Sequence, residues 1–322
     1  MKKKFKSKST NEICEMVTNI VIEGLEKGIC PWIKPWASAE IGGVPKNYNY
    51  KSEYNGSNQL ILTTIKVAKN YSTNFWVTYK GARALDGNVK KGEKGSPVVY
   101  WNFIKYDADG NRIPKGNPNN VEVAKSIPFL KYFSVFNLDQ CEGIEMPEIK
   151  KPKKVSELKV LKDAQAIVDG YDKNEKSLDI KIQDSDRAYY NPSDDMIVTP
   201  TMRQAVEKAK SVGQSVNDGK QHFYSTMFHE MIHSTGHKSR LSRDGITDMN
   251  FFGSHEYSKE ELVAEIGSAI LCFKAGLTSE RVMDNTSAYC KSWAKKLKSD
   301  PKWIVWAGGR ATTGAKYVLN GK

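Results

Sequence analysis

The feature that most constrains this chain is the string His229-Glu230-Met231-Ile232-His233. All five histidines of the chain fall between positions 222 and 255, so any metal site that uses imidazoles lies in this segment. Residues four apart in a helix lie one turn apart on the same face, which places His229 beside His233. Two imidazoles in that arrangement bind one Zn²⁺ at about 2.1 Å. The string therefore predicts a helix that carries a zinc site.

Glu230 occupies the position from which a carboxylate acts as general base in this type of site. Zn²⁺ lowers the pKa of a bound water toward about 7, and a carboxylate beside it takes the proton as the water attacks a carbonyl. We therefore predict a zinc hydrolase, more specifically a metallopeptidase that acts on a protein or peptide. Thr235 stands where the strict pattern prefers an apolar residue. A helix whose histidines are only packed or capped is the alternative.

Catalytic zinc usually has three protein ligands, so the third must come from elsewhere in the chain. His237 follows Gly236, where the helix should end, and it misses the spacing of a third histidine ligand. Glu261 and Glu265 are better candidates, because residues four apart share one helical face. We assign Glu261 as the ligand and Glu265 as the carboxylate that accepts the second N–H of a ligand imidazole, while the reverse assignment and a solvated face stay open. Candidates for an additional electrophile are His255, Tyr257, Tyr289 and Arg240.

The net charge of +12 is unevenly distributed along the chain. Residues 1–154 hold 25 lysines and arginines against 15 acidic residues, whereas the other 168 residues hold 24 against 22. Such an asymmetry favours a polyanion, and specifically nucleic acid, as the partner of the first half. The alternative is a solvated surface with a flexible lysine-rich tail and linker.

The length of 322 residues is sufficient for two domains. Helices at 9–28 and 56–69 and strands at 74–78, 97–106 and 128–138 predict a small basic α+β domain at 1–141. The stretch 142–156, with two prolines and four lysines, reads as a linker. Residues 157–322 are predicted to form a mostly helical domain with a short β-sheet, including a hairpin at 187–200 and helices at 157–169, 220–235 and 258–275, the last one starting with a capping box at Ser258.

No apolar run approaches the roughly 18 residues of a membrane span, so no membrane partner is expected. The basic N-terminus is not followed by an apolar segment of the kind found in secretory signals. The five cysteines are scattered and include no C-x-x-C pair. This pattern favours a reducing, cytoplasmic location over a disulfide framework.

The first half also combines basic and aromatic residues as single-strand binders do, with a charged groove and rings on which bases stack. The basic residues surround predicted strands that bear Trp76, Tyr79, Tyr100 and Trp101. Most aromatic residues in strands are core, so core packing and a solvated charge run are the alternatives. Trp32 and Trp36 are read either as stacking platforms or as a clamp over the first helix. The predicted contacts to DNA are Lys80, Arg83, Lys90, Lys91, Lys94, Trp76 and Tyr79.

Ordered motifs over nearly the whole chain carry a family resemblance. They are Pro31-Trp32-x-x-Pro35-Trp36, Trp76-Val-Thr-Tyr-Lys80, Gly92-Glu-Lys-Gly95, Val135-Phe-Asn-Leu-Asp-Gln140, Ala188-Tyr-Tyr-x-Pro192, Phe228-His-Glu-x-x-His-Ser-Thr-Gly-His237 and Glu260-Glu-Leu-Val-Ala-Glu-Ile266. With them the chain resembles the ArdC-type antirestriction proteins of conjugative plasmids and phages, which are related to the N-terminal part of some plasmid primases.

The resemblance implies an N-terminal domain that binds single-stranded DNA and a C-terminal zincin-like metallopeptidase domain. It implies that His229 and His233 are the metal ligands, that Glu230 is the catalytic glutamate, and that the protein protects incoming DNA from host restriction. Two other functions stay open. The protein could mask DNA by occupancy, with a structural or vestigial metal site, or it could be a primase-associated conjugation factor.

Overall fold

The computed structural model describes residues 8–33, 43–114, 116–117, 119–147, 156–247, 255–279 and 286–321. The fold is α+β, as the sequence predicts. The helices predicted at 9–28 and 56–69 are present. The elements of the first half are α1 (Thr10–Glu26), β1 (Lys46–Asn47), α2 (Ser57–Lys69), β2 (Phe75–Thr78), α3 (Tyr79–Arg83), β3 (Asn88–Val89), β4 (Ser96–Tyr106), β5 (Lys125–Asn137) and β6 (Cys141–Glu142).

The main sheet has the strand order β1-β2-β5-β4. β1 and β2 are parallel, and the other pairs are antiparallel. β4 and β5 pair along their whole length, from Ser96 opposite Val135 to Tyr106 opposite Lys125. A separate two-stranded sheet joins β3 to β6.

β2 is an inner strand of this sheet, and both of its faces are covered. On one face Trp76 packs with Leu62 of α2 and with Val98 of β4. On the other face Val77 packs with Leu138. Side chains in successive strand positions point to opposite faces, so covering both faces buries both residues.

The second half contains most of the helices. Its elements are α4 (Glu157–Asn174), β7 (Asp179–Ile182), β8 (Tyr189–Asn191), β9 (Met196–Thr199), α5 (Met202–Ser211), α6 (Val216–Ser234), α7 (Asp244–Thr247), α8 (His255–Ala275), α9 (Thr286–Ser299) and α10 (Trp303–Asn320). The three strands form a sheet with β9 in the middle, parallel to β7 and antiparallel to β8. The hairpin predicted at 187–200 is therefore present.

The first residues of α6 form an N-terminal capping box, whereas α8 does not begin where the sequence predicts. α6 begins after Ser215, whose hydroxyl accepts from the backbone N–H of Asp218 at 3.1 Å while the Asp218 carboxylate accepts from the N–H of Ser215 at 3.0 Å. α8 begins at His255, so the capping box predicted at Ser258 is wrong. Ser258 is instead buried inside the first turn of α8.

One hydrophobic core unites helices from both halves of the chain. It contains Val17 and Val21 of α1 and Leu60 of α2 together with Leu297 of α9 and Ile304 of α10. α2 and α10 approach so closely that a Cβ on Gly308 would lie 2.4 Å from the backbone nitrogen of Ser57. Only glycine fits at that position without a shift of the two helices.

Trp32 belongs to the same core and packs against α9, so it is not an exposed platform. It is 3% exposed, its ring meets the edge of Trp293 at 5.9 Å, and its Nε1 donates to the Tyr289 hydroxyl at 3.1 Å. Trp36 lies outside the described residues.

The domain boundaries predicted from the sequence remain predictions. Residues 148–155 of the predicted linker 142–156 lie outside the described residues, so the division into 1–141 and 157–322 stays a prediction. Among the residues that the structure describes, no helix combines the length and the apolarity that crossing a membrane requires.

Candidate metal centre and candidate DNA-binding surface

The metal centre depends on the close packing of α6 against α8. A Cβ on Gly267 of α8 would lie 2.9 Å from side-chain atoms of Ile232 of α6, so glycine at this position lets the helices approach. α6 carries His229 and His233, and α8 carries the glutamates of the predicted site. The approach therefore brings residues from two distant parts of the chain to one point.

His229, His233 and Glu261 converge on this point. One ligand atom from each lies within 4.8 Å of the others. The two Nε2 atoms are 3.1 Å apart, and Glu261 lies 3.3 Å from His233 Nε2 and 3.6 Å from His229 Nε2. Two imidazole nitrogens and one carboxylate are the donors of many catalytic zinc sites. Of the two carboxylates that the sequence leaves open, the structure brings Glu261 into the cluster.

The carboxylate behind His233 is Glu260, which the sequence analysis missed. Glu260 Oε1 faces His233 Nδ1 at 3.5 Å, which is an ion-pair contact, and within the described part of the chain Nδ1 makes no hydrogen bond. A carboxylate that faces Nδ1 favours the tautomer with its proton on Nδ1, which leaves the Nε2 lone pair for a metal. Glu265, predicted for such a role, is buried and lines the cavity beside His229, so its role as an outer carboxylate stays a prediction.

Arg243 holds Glu260 in place and explains the threonine at position 235. Its Nε donates to Glu260 Oε2 at 3.0 Å, and its Nη1 donates to the Thr235 hydroxyl at 2.7 Å. Its Nη2 also donates to the backbone carbonyl of Ile232 at 2.7 Å. Thr235 departs from the usual apolar residue because its buried hydroxyl is a partner of this guanidinium. No local sequence pattern marks Arg243, since it lies in an irregular segment after α6.

The carboxylates of the centre stabilise positive charge. Burial opposes the charged form of His233, but its contacts with Glu260 and Glu261 outweigh burial and raise its pKa to about 10. Burial also opposes ionisation of Glu261, but its contacts with His229 and His233 outweigh burial and lower its pKa far below the usual range. The favoured charge is either a proton on an imidazole or a divalent cation, so the two compete for this position.

Glu230 lies beside the cluster at the wall of a cavity of about 560 Å³. Its side chain is buried, and no described residue gives it a hydrogen bond or an ion pair. His229, Glu261 and Glu265 line the same cavity, together with Arg187 and other residues from the β-sheet side and α5. A buried carboxylate without a protein partner at this place is available for proton transfer.

Arg240, a candidate electrophile, does not reach the centre. Its side chain is fully buried and binds Asp195 through two nitrogens, and its Nε donates to the carbonyl of Ser234 at 2.7 Å. The prediction for Arg240 is therefore wrong, because the guanidinium is used to fix the end of α6. Tyr289 accepts from Trp32, and the side chains of His255 and Tyr257 lie outside the described residues.

The predicted DNA contacts divide into exposed residues and one buried residue. Trp76 is fully buried and meets the edge of Tyr71 at 5.9 Å, so its ring offers no face to a base. The prediction that Trp76 stacks on DNA is contradicted, because its strand is covered on both sides. The other predicted contacts are all exposed: Lys80, Arg83, Lys90, Lys91, Lys94 and Tyr79.

Comparisons with known proteins agree with this two-part layout. A family model described as the N-terminal domain of the anti-restriction factor ArdC matches residues 11–136, and one described as a zincin-like metallopeptidase matches residues 172–310. The metal-free crystal structure of the antirestriction protein ArdC from plasmid R388 is 32% identical, with a TM-score of 0.66. That match covers 96% of this chain and 97% of the other. This chain belongs to the ArdC family of antirestriction proteins.

Other ArdC relatives span very different lengths. The Mn(II)-bound structure of the R388 protein is matched at 30% identity, again with a TM-score of 0.66 and the same coverage of both chains. The uncharacterized protein y4eC of Sinorhizobium fredii is 31% identical over 95% of this chain and 91% of its own length. Two Escherichia coli proteins named DNA primase TraC are 34% and 32% identical, but the chain spans only 20% and 27% of their lengths.

Family membership confirms the resemblance inferred from the motifs. An ArdC-type N-terminal domain and a zincin-like C-terminal domain are therefore present on one α+β chain.

Proposed function

We propose that this ArdC-family protein binds single-stranded DNA and hydrolyses a protein or peptide at a zinc centre formed by His229, His233 and Glu261. The observation that carries the proposal is the buried Glu230, which lies beside three converging donor atoms and has no hydrogen bond or ion pair with any described residue. A purely structural zinc site more often uses four protein ligands and needs no spare carboxylate.

The donor set fits a divalent metal, and zinc is the proposed one. Two nitrogens and one oxygen leave a coordination position for a substrate or water, as in catalytic zinc sites. The R388 relative is described with Mn(II), an ion that also accepts nitrogen and carboxylate ligands. When bound, the metal supplies Lewis-acid polarisation of a carbonyl and activation of a water.

The other roles in the proposed reaction belong to side chains of the protein. Glu230 takes the proton from the attacking water and returns it to the leaving amine. Glu260 and Arg243 fix the orientation of the His233 ring, so the donors are held in place before substrate arrives. The cavity on the β-sheet side is the proposed place for the substrate.

We propose that the exposed residues of the first half contact the DNA, among them Lys80, Arg83, Lys90, Lys91, Lys94 and Tyr79. Their cationic side chains suit phosphates, which dominate the affinity of nucleic-acid binding. We also propose protection of incoming plasmid or phage DNA, because the R388 relative is an antirestriction protein. A cytoplasmic location is proposed because none of the five cysteines forms a disulfide.

The test replaces Glu230→Gln, which keeps the shape of the side chain and removes the base. Proteolysis of fluorescein-labelled casein by the metal-loaded protein, with and without single-stranded DNA, should fall by roughly 10²–10⁴-fold. Metal content and DNA affinity should stay unchanged, since Glu230 is proposed to contact neither. Transfer of an unmodified plasmid into a restricting host measures protection. If protection survives the substitution undiminished, masking of DNA by occupancy is the protective activity and the peptidase is not.

A further inference from the structure

We infer that single-stranded DNA binds in a groove between β4 and α10, so that both halves of the chain build the site. This inference rests on the proposed single-strand binding and adds the place where it occurs. The groove has a volume of about 830 Å³ and is separate from the cavity at the metal centre. Its walls come from β4, the start of α2, the segment before α7 and the first turns of α10.

The β4 wall presents two half-exposed aromatic rings. Trp101 is 47% exposed and Phe103 is 48% exposed, and both line the groove. Being two residues apart in a strand, they lie on the same face, about 6.7 Å apart along it. That spacing is about twice the rise of 3.4 Å per nucleotide in a duplex strand. It therefore suits a single strand whose bases are separated and stacked on side chains.

The α10 wall adds a third ring and two cations. The guanidinium of Arg310 lies over the Trp306 ring, with its carbon 3.9 Å from the ring centroid. Among the described residues neither Arg310 nor Lys302 forms an ion pair within 4.0 Å, and Asp244 acts on Arg310 only from a greater distance. Arg243, at the floor of the groove, is already paired with Glu260. Of the described residues that line the groove, only Asp244 is acidic.

Exposed aromatic rings lie next to cations that have no ion-pair partner among the described residues. This combination favours a nucleic-acid strand over an apolar peptide as the ligand of the groove. An apolar protein segment would cover the rings but would leave Lys302 and Arg310 without partners, at a cost in desolvation. A single nucleic-acid strand uses both, because bases stack on rings while phosphates meet cations. On the rim, the Asn55 amide donates one N–H to the Glu53 carbonyl at 3.3 Å and keeps its second N–H for a phosphate oxygen.

The groove is distinct from the lysine turn that the sequence points to. Trp101 lies five residues into β4, about 17 Å along the strand from Ser96, and Lys94 precedes the strand. A substitution in one place therefore reports on that place alone. The groove also ends at Arg243, the residue that holds Glu260 behind the His233 ring.

The first experiment measures the affinity of the full protein for a fluorescein-labelled oligothymidylate by anisotropy. Trp101→Ala combined with Phe103→Ala should weaken binding by at least about 25-fold, since each stacking ring contributes about fivefold or more. Tyr100→Ala is the matched control, because Tyr100 is 43% exposed on the opposite face of the same strand. It should stay within about twofold of the parent. Trp101→Phe should restore most of the affinity in the presence of Phe103, because phenylalanine still stacks.

The second experiment measures the salt dependence of the same affinity. Lys302→Gln combined with Arg310→Gln should reduce the slope of log affinity against log salt by up to about 1.4, or about 0.7 per lost phosphate contact. Lys173→Gln with Lys176→Gln removes the same charge from exposed positions in the last turn of α4 and just after it, which do not line the groove, and should leave the slope unchanged. Thermal unfolding confirms that all variants are folded.

The outcomes separate the inference from the function it rests on. If the parent protein does not bind the oligonucleotide, the proposed single-strand binding is wrong. If the parent binds and the folded groove variants bind equally well, the groove is not the site, and the DNA lies elsewhere or the groove takes a protein segment. Weakened binding in both groove variants, with unchanged controls, supports the inference.

Discussion

The metal centre and the groove differ in how their charges are satisfied. At the centre, each charged group behind the ligands is held by another one: Arg243 binds Glu260, and Glu260 faces His233. In the groove, Lys302 and Arg310 have no ion-pair partner among the described residues, and the rings of Trp101 and Phe103 are half exposed.

The difference shows what each site requires. Metal chemistry needs donors held in place within fractions of an ångström, which takes buried, interlocked partners. Binding of a flexible polymer tolerates side chains that adjust, and its affinity is the sum of several modest contacts. Substitutions should therefore have steep effects at the centre and graded, salt-dependent effects in the groove. The predictions below test that contrast, beginning with the largest effect.

Exchange of Glu261→Gln should reduce the affinity for Zn²⁺ by more than about 100-fold, because it removes a proposed ligand and not only a side chain that orients one. Glu265→Gln is the matched control one helical turn away and should reduce the affinity by about 100-fold at most. Competition with a chromophoric chelator measures both constants. The reverse order of effects would exchange the roles of the two carboxylates.

Arg243→Lys should reduce the affinity for Zn²⁺ by about 10–100-fold, since lysine cannot hold Glu260 through two nitrogens. Arg240→Lys is the control, because Arg240 is equally buried but binds Asp195 and not the residues behind the ligands. It should lower stability and leave the affinity within a few-fold of the parent. Equal losses of affinity in both variants would mean that general loosening of α6, and not the Glu260 contact, sets the affinity.

The metal-free protein should show a pH dependence that comes from His233. The folded pKa of His233 is raised from 6.5 to about 10, so protonation stabilises the fold fully below about pH 6.5, and this contribution is lost as the pH rises through 10. The difference in unfolding free energy between the parent and His233→Gln should shrink over that range. Urea unfolding in the presence of a chelator measures it. A difference that grows with pH would contradict the assigned environment of His233.

The smallest effects are expected where α10 packs against the start of α2, beside the groove. Gly308→Ala should destabilise the fold by about 1–3 kcal/mol, because the new Cβ would meet the backbone of Ser57. Gly309→Ala should be neutral or stabilise by up to about 1 kcal/mol, since open space surrounds that position in the helix. Thermal unfolding compares the two. If Gly308→Ala is tolerated as well as Gly309→Ala, the close approach of α2 and α10 is not required.

The sequence predicts the centre better than the DNA surface for a physical reason. His229 and His233 belong to one helix, where a spacing of four residues determines which side chains meet. The same rule identifies Glu261 and Glu265 as a pair of candidate ligands. It does not tell which of the two lies at the metal centre, because the approach of α8 to α6 is a tertiary property. Glu260 and Arg243 escaped prediction since their contact joins segments that no local pattern relates.

Strand aromatics are less predictable because a strand has two faces and the tertiary fold decides which is covered. Trp76 and Trp101 both lie in strands and look alike in the sequence. Trp76 lies in an inner strand under α2 and is fully buried, whereas Trp101 lies in β4, the edge strand of the sheet, and is 47% exposed. Knowledge of the strand order would have been needed to tell them apart.

Metal analysis of the purified protein tests the central claim most directly. The parent protein, loaded with Zn²⁺ and freed of excess, should retain about one metal ion per chain. The double variant His229→Ala, His233→Ala should retain none while keeping its fold and its affinity for the oligonucleotide. A folded parent protein that holds no more metal than this variant would contradict the account of the centre.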